Sequence, residues 1–119
     1  TGFGLAGHAL GMASASAAGI VIRFSELPVH SGFAELVARG VTTGCTAGNR
    51  RHVGNRLREV RALTAEEREL LFDPQTSGGL LLAVPPASAA QLLEALRSSG
   101  HQAAAIGEVV AGEPRIEVR

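Results

Sequence analysis

Apolar positions along the chain switch repeatedly between helical and strand periods. Leu5 to Ala18 is Ala-rich, with Leu5, Ala9, Met12 and Ala15 or Ser16 on one face, which predicts an amphipathic helix stopped by Gly19. The β-branched run Ile20-Val21-Ile22-Arg23-Phe24 predicts a strand ended by Pro28. Ser31 is placed to cap a short helix carrying Phe33, Leu36 and Val37 and closed by Gly40. Periodicity then vanishes over residues 41–52, which read as a loop, and Val53, Leu57 and Val60 have the spacing of a short helix.

The second half is more regular. Thr64-Ala65-Glu66-Glu67 is a capping-box pattern opening a helix with Leu70 and Leu71, halted by Pro74. Leu80 to Val84 predicts a buried strand ended by Pro85-Pro86. A helix capped by Ser88 follows, carrying Leu92, Leu93 and Leu96 and ending at Gly100. Ala103 to Val110 predicts a further strand, so that 80–110 forms a β-α-β unit with a right-handed crossover. After the Gly112-Glu113-Pro114 turn, Ile116 and Val118 alternate with charges as an edge strand. Interleaved helices and strands with a mixed sheet make this one α/β domain over residues 1–119.

Composition narrows what such a domain can do. The hydrophobic share of 45% belongs to a globular chain, and the net charge of zero argues against a nucleic-acid or anionic-membrane binder. All 11 basic residues are Arg, so Schiff-base and P-loop lysine chemistry are excluded within this chain. Asp73 is the single Asp, and Cys45 the single Cys, which rules out an internal disulfide and fits a cytoplasmic setting. Cys45 itself is expected to be a small, semi-buried loop residue. No apolar stretch is long enough to span a bilayer. The sole Met is Met12, so Thr1 is read as a cut point in something longer.

Two loops carry binding chemistry. Thr1-Gly2-Phe3-Gly4 precedes the first helix, where backbone N–H groups attract phosphate and glycines permit close approach. In Asp73-Pro74-Gln75-Thr76-Ser77-Gly78-Gly79-Leu80, Thr76 and Ser77 offer hydroxyls, while Gly78 and Gly79 allow close approach or positive φ. Local chemistry leaves both open between an anion site and a tight turn. From Arg50 to Arg61 there are five Arg against one Glu, a patch suited to phosphate or acidic partners but more commonly a solvated face. Arg68, among Glu66, Glu67 and Glu69, reads as part of an exposed helix. His8, His30, His52 and His101 lack metal-ligand spacing with each other or with Cys45. His8, sharing a face with Leu5 and Met12, is expected to be a hydrogen-bonded core histidine. No catalytic constellation is visible.

Thr1-Gly2-Phe3-Gly4-Leu5-x-Gly7-His8, with Asp73 to Leu80 and the Gly44 to Asn49 loop, resembles the C-terminal domain of the selenophosphate synthetase family. That family sits in the superfamily of aminoimidazole ribonucleotide synthetase. The resemblance implies a three-layer α/β/α domain, with Thr1, Gly2, Gly4, Asn49, Thr76, Ser77, Gly78 and Gly79 on the substrate or phosphate side. It implies no catalytic or metal-ligating residue here, because the reactive Cys or selenocysteine, a Lys and most metal-binding Asp residues belong to an N-terminal domain. It also implies ATP and Mg²⁺ in a full-length cytoplasmic homodimer making selenophosphate, AMP and phosphate, with the isolated domain inactive. Thr43-Gly44-Cys45-Thr46 departs from the family's Pro-Gly-Gly-Thr, which puts the shape of that loop in doubt. The alternatives are another superfamily member, such as a purine-biosynthetic ligase, or a stand-alone binding domain.

Overall fold

Four short strands form a mixed sheet in the order β2-β4-β1-β3, comprising β1 (Ala18–Ile22), β2 (Leu57–Glu59), β3 (Gly107–Ala111) and β4 (Ile116–Val118). This computed structural model describes residues 2–119. β1 runs parallel to β4 and antiparallel to β3, and β2 runs parallel to β4. Helices α1 (Gly4–Ser16), α2 (Phe33–Ala38), α3 (Thr46–Val53), α4 (Ala65–Phe72) and α5 (Pro86–Ser98) complete the α/β architecture expected from the pattern.

α1 lies directly on β1 and β4, with α3 and α4 packed against it. Its buried face is Gly4, Ala6, Gly7, Ala9, Leu10 and Ala13, small residues that let its backbone come close to the sheet. Leu5 and Met12, expected on that face, are only half-buried, because a helix so rich in Ala has little apolar contrast to mark one side. Ala17, in the left-handed conformation at φ +47°, ends the helix. Gly19, the expected stop, lies inside β1, where a Cβ would stand 3.0 Å from a Val110 methyl. The core joins this helix face to Ile22, Val53, Leu63, Leu71, Phe72, Ile116 and Val118.

Several expected elements differ, each for an identifiable reason. Ile116 and Val118 belong to an interior strand and not an edge; both are fully buried, since β4 is paired on both sides. Residues 46–52, read as part of a loop, belong to α3, where tertiary packing of Thr46, Asn49 and Val53 overrides the weak helix propensity of Thr-Ala-Gly-Asn. The helix expected around Val53, Leu57 and Val60 is instead a 3₁₀ turn followed by β2, drawn into the sheet by its register Leu57–Ile116. Gly32, at φ +86°, precedes α2 with no side-chain cap, so Ser31 does not cap it.

Leu80–Val84 is not a strand. The middle of the sheet is filled by β4 and β1, and an apolar run alone does not distinguish a paired strand from an extended packing segment. Leu81 rests against the core while Leu80, Leu82 and Val84 are exposed. The β-α-β crossover over 80–110 is therefore absent, and the strand expected from Ala103 begins only at Gly107. α5 starts from Pro85 and Pro86, whose fixed φ suits a first helical turn, and not from Ser88; none of its residues is fully buried.

Candidate functional site

The two sequence motifs converge at one junction, where the N-terminus of α1 meets the C-terminus of α4 and the middle of α3. Gly4 takes φ +72°, and a Cβ there would sit 2.7 Å from the Phe72 carbonyl carbon and 2.9 Å from the Leu71 oxygen. Only glycine lets the α1 start lie this close to the end of α4. Phe72 is the last residue of α4, so its carbonyl has no intrahelical partner, and Pro74 two residues on has no N–H. Asn49 supplies the missing donor: its Nδ2 donates to the Phe72 carbonyl and to the Gly2 carbonyl, each at 2.8 Å. Asn49 is 7% exposed, so these bonds are made inside the protein.

Aromatic and cationic side chains brace the junction. The Phe3 ring meets His8 edge-on and His52 at a tilt, each with centroids 5.9 Å apart. The Arg50 guanidinium lies 5.5 Å from the centre of the Phe72 ring and 3.9 Å from Glu69. His8, half-buried, sets its ring against Phe3 outside the deep core. Gly44 and Cys45 form a turn before α3 in which the Thr43 hydroxyl accepts from the N–H groups of Cys45 and Thr46, each at 3.3 Å. Cys45 is exposed and not semi-buried.

Asp73 opens the second motif and lies beside a cleft of about 100 Å³ with Phe33, Leu36, Val37 and Val41 as apolar walls and Thr42, Thr43 and Glu69 around it. Burial, and then the neighbouring Glu69 carboxylate, push the Asp73 carboxyl above its ordinary value. The Thr42 hydroxyl donates to Glu69. Beyond Asp73 the chain turns at Thr76 and Ser77, and residues 75–80 are all exposed. Gly78 and Gly79 are not at positive φ. At Gly78 a Cβ would meet the Gln75 side chain at 2.9 Å, so contact and not dihedral strain restricts that position.

The structure therefore brings Gly2, Gly4 and Asn49 together and sets Thr76, Ser77, Gly78 and Gly79 on an open loop leading from the same junction. Thr1 lies outside the described residues. The role of Asn49 in joining the motifs is not visible in the sequence as spacing. Its one signal in the sequence is the resemblance, which ends the Gly44 to Asn49 loop on this residue; that Asn49 lies inside a helix, where its type is disfavoured unless its side chain has other bonds to make, is seen only in the fold.

The Arg50–Arg61 patch is largely neutralised within the fold. Arg61 makes a two-pronged pair with Glu67 at 2.8 and 2.7 Å, Arg58 lies 3.6 Å from Glu117, and Arg56 donates to the His52 carbonyl. Arg68, read as a solvent residue, clamps Glu59 of β2 at 2.8 and 2.7 Å, tying α4 to the sheet edge. Among the described residues no three of His, Cys, Asp and Glu converge as a metal site.

The chain is 43% identical over 119 residues to a selenide, water dikinase of Burkholderia pseudomallei (strain K96243), covering 99% of this chain and 34% of that protein. It is 40% identical over 118 residues to one of Myxococcus xanthus (strain DK1622), covering 99% and 34%. A third, from Pseudomonas straminea, is 37% identical over 119 residues, covering 99% and 33%. The chain thus spans about a third of the length of the curated relatives it matches. The model of the family described as "AIR synthase related protein, C-terminal domain" matches residues 1–119, and the chain belongs to that family.

Proposed function

We propose that this domain is the C-terminal domain of a selenide, water dikinase, an ATP-dependent enzyme that makes selenophosphate, AMP and phosphate from selenide, ATP and water. The observation that carries the reading is the 43% identity, across 99% of the chain, to a protein of that name. The geometry fits a supporting part. The hydroxyls of Thr76 and Ser77 and the backbone at Gly78 and Gly79 stand exposed on a loop, free to meet an anionic group, and Gly2 lies at the other side of the Asn49 junction. Gly4 and Asn49, which the sequence offers as ligand contacts, have a second role here in holding that junction.

The chemistry itself is assigned to a companion N-terminal domain. The described residues of this chain do not by themselves fit a Mg²⁺ site, since no trio of ligating side chains converges. ATP supplies the transferred phosphoryl group. This domain's share is to orient a ligand with backbone amides and hydroxyls, which needs no lysine. The reading includes a cytoplasmic homodimer whose isolated C-terminal domain is inactive, and it rests there on the resemblance and the lone cysteine.

The test is selenide-dependent conversion of ATP to AMP by the complete polypeptide that carries this domain, followed by phosphorus NMR. AMP and selenophosphate are expected together. A folded polypeptide that forms no AMP with selenide removes the assignment, and ring closure or amidation of a purine precursor with release of ADP would transfer it to the purine-biosynthetic branch.

A further inference from the structure

We infer that Asn49 is a positioning residue, the strut that fixes the Gly2–Gly4 segment and the Asp73–Gly79 loop relative to one another. The inference rests on the selenide, water dikinase reading for its kinetic part only. Three observations carry it. The Asn49 amide donates to the Gly2 and Phe72 carbonyls, both at 2.8 Å; Gly2 directly precedes the N-cap residue of α1, and Phe72 is the last residue before the Asp73 loop. The Phe72 carbonyl stands where a helix leaves acceptors without partners, and Pro74 offers no N–H to replace the missing donor. Asn49 is almost wholly buried, in a helix whose Thr-Ala-Gly-Asn sequence has little propensity of its own.

An apolar side chain at this point of α3, like Val53 one turn on, would fill the space and leave both carbonyls without a donor. An amide is required because the two groups to be joined are backbone carbonyls, both acceptors, and a single NH₂ can donate to both. Hydrogen bonds of this kind are directional, so they set a distance and an angle that packing alone leaves loose. The consequence is that a ligand touching both segments meets them at a separation chosen by one side chain.

The experiment compares Asn49→Ala and Asn49→Ser with Val53→Ala, which weakens the same helix without touching either carbonyl. Hydrogen exchange is measured on the folded chain over Gly2–Gly4 and Asp73–Leu80, and steady-state kinetics on the complete polypeptide. Asn49→Ala should speed exchange in both segments and lower kcat by about 100-fold, the scale of a misplacement near 1 Å, with the KM for ATP little changed. Asn49→Ser, which keeps one donor, should fall between Ala and wild type. Val53→Ala should change neither exchange in the two segments nor kcat of the folded fraction.

The inference is overturned if exchange in the two segments is unaltered, if Val53→Ala reproduces the kinetic loss, or if neither Asn49 variant folds, which would make the residue structural. A wild-type polypeptide silent to selenide removes the proposed function instead. The exchange comparison then decides the strut on its own.

Discussion

Replacing Gly4 by alanine isolates the close approach of α1 to the end of α4. Two costs arise, both readable from the geometry. The residue sits at φ +72°, where an L side chain costs about 1–2 kcal/mol. Its new Cβ would also lie 2.7, 2.8 and 2.9 Å from three backbone atoms of Leu71 and Phe72, none of which can swing aside as a side-chain tip would. Forcing such a contact open costs about 1–3 kcal/mol, so the sum is about 2–5 kcal/mol. Domains of this size lose about 3–6 °C in Tm per kcal/mol, which puts the expected drop at about 6–30 °C by far-ultraviolet circular dichroism.

Gly40 provides the internal control for that prediction. It has φ +81° and nothing within 4 Å of a built Cβ, so Gly40→Ala should show the dihedral cost alone, about 1–2 kcal/mol. The difference between the two variants measures the contact with α4. Equal Tm values for Gly4→Ala and Gly40→Ala would refute the claim that α1 and α4 meet through backbone at Gly4.

Glu67 is held down to about 2 from 4.5, first by the Arg61 guanidinium and then by the Thr64 N–H; because its folded value lies below its unfolded one, its contribution is complete above pH 4.5 and lost as the pH falls toward 2. Urea midpoints of Glu67→Gln should therefore lie below wild type near neutrality and converge with it at the acid end, and parallel pH curves would refute this. Asp73 has the opposite sign: its raised value means that charge opposes folding, so stability present below 3.8 is lost as the pH rises through the folded value. Asp73→Asn should accordingly raise Tm at neutral pH, and in the complete enzyme a fall in turnover alongside that gain would mark a site kept at a cost in stability; a lower Tm contradicts the burial argument. Ser77→Ala, on an exposed turn, should shift stability by no more than about 0.5 kcal/mol while lowering turnover, and unchanged turnover would reduce the loop to a connection.

Legibility tracked how local the cause of each feature is. The Thr64 capping box was readable because both of its bonds lie within four residues, and it forms as expected, with Thr64 Oγ1 accepting from Glu67 N–H at 3.2 Å and Glu67 accepting from Thr64 N–H at 2.9 Å. β1 was readable within two residues from its β-branched run. α3 and β2 were not, because their stability comes from partners far along the chain: Asn49 bonds to Gly2 and Phe72, and Leu57 is paired with Ile116. The same holds for the site. Its motifs were visible as words in the sequence, and Asn49 among them as a ligand-side residue, but the bonds by which it joins the motifs exist only in three dimensions. Leu80–Val84 failed for a converse reason, since its apolarity promised a strand although the sheet offers it no place at its centre.

The interior position of β4 has a consequence for how the chain is made. Both β1 and β2 depend on β4, and β2 has no other strand beside it, so the sheet cannot close until Ile116–Val118 has left the ribosome. Until then the small-residue face of α1 has no β4 to cover it, and the nascent domain waits with apolar surface uncovered. Contacts this distant in sequence slow folding and lengthen exposure to aggregation. Pulse-labelled chains stalled before Ile116 should therefore remain protease-sensitive throughout, and resistance should appear in a single step once β4 emerges.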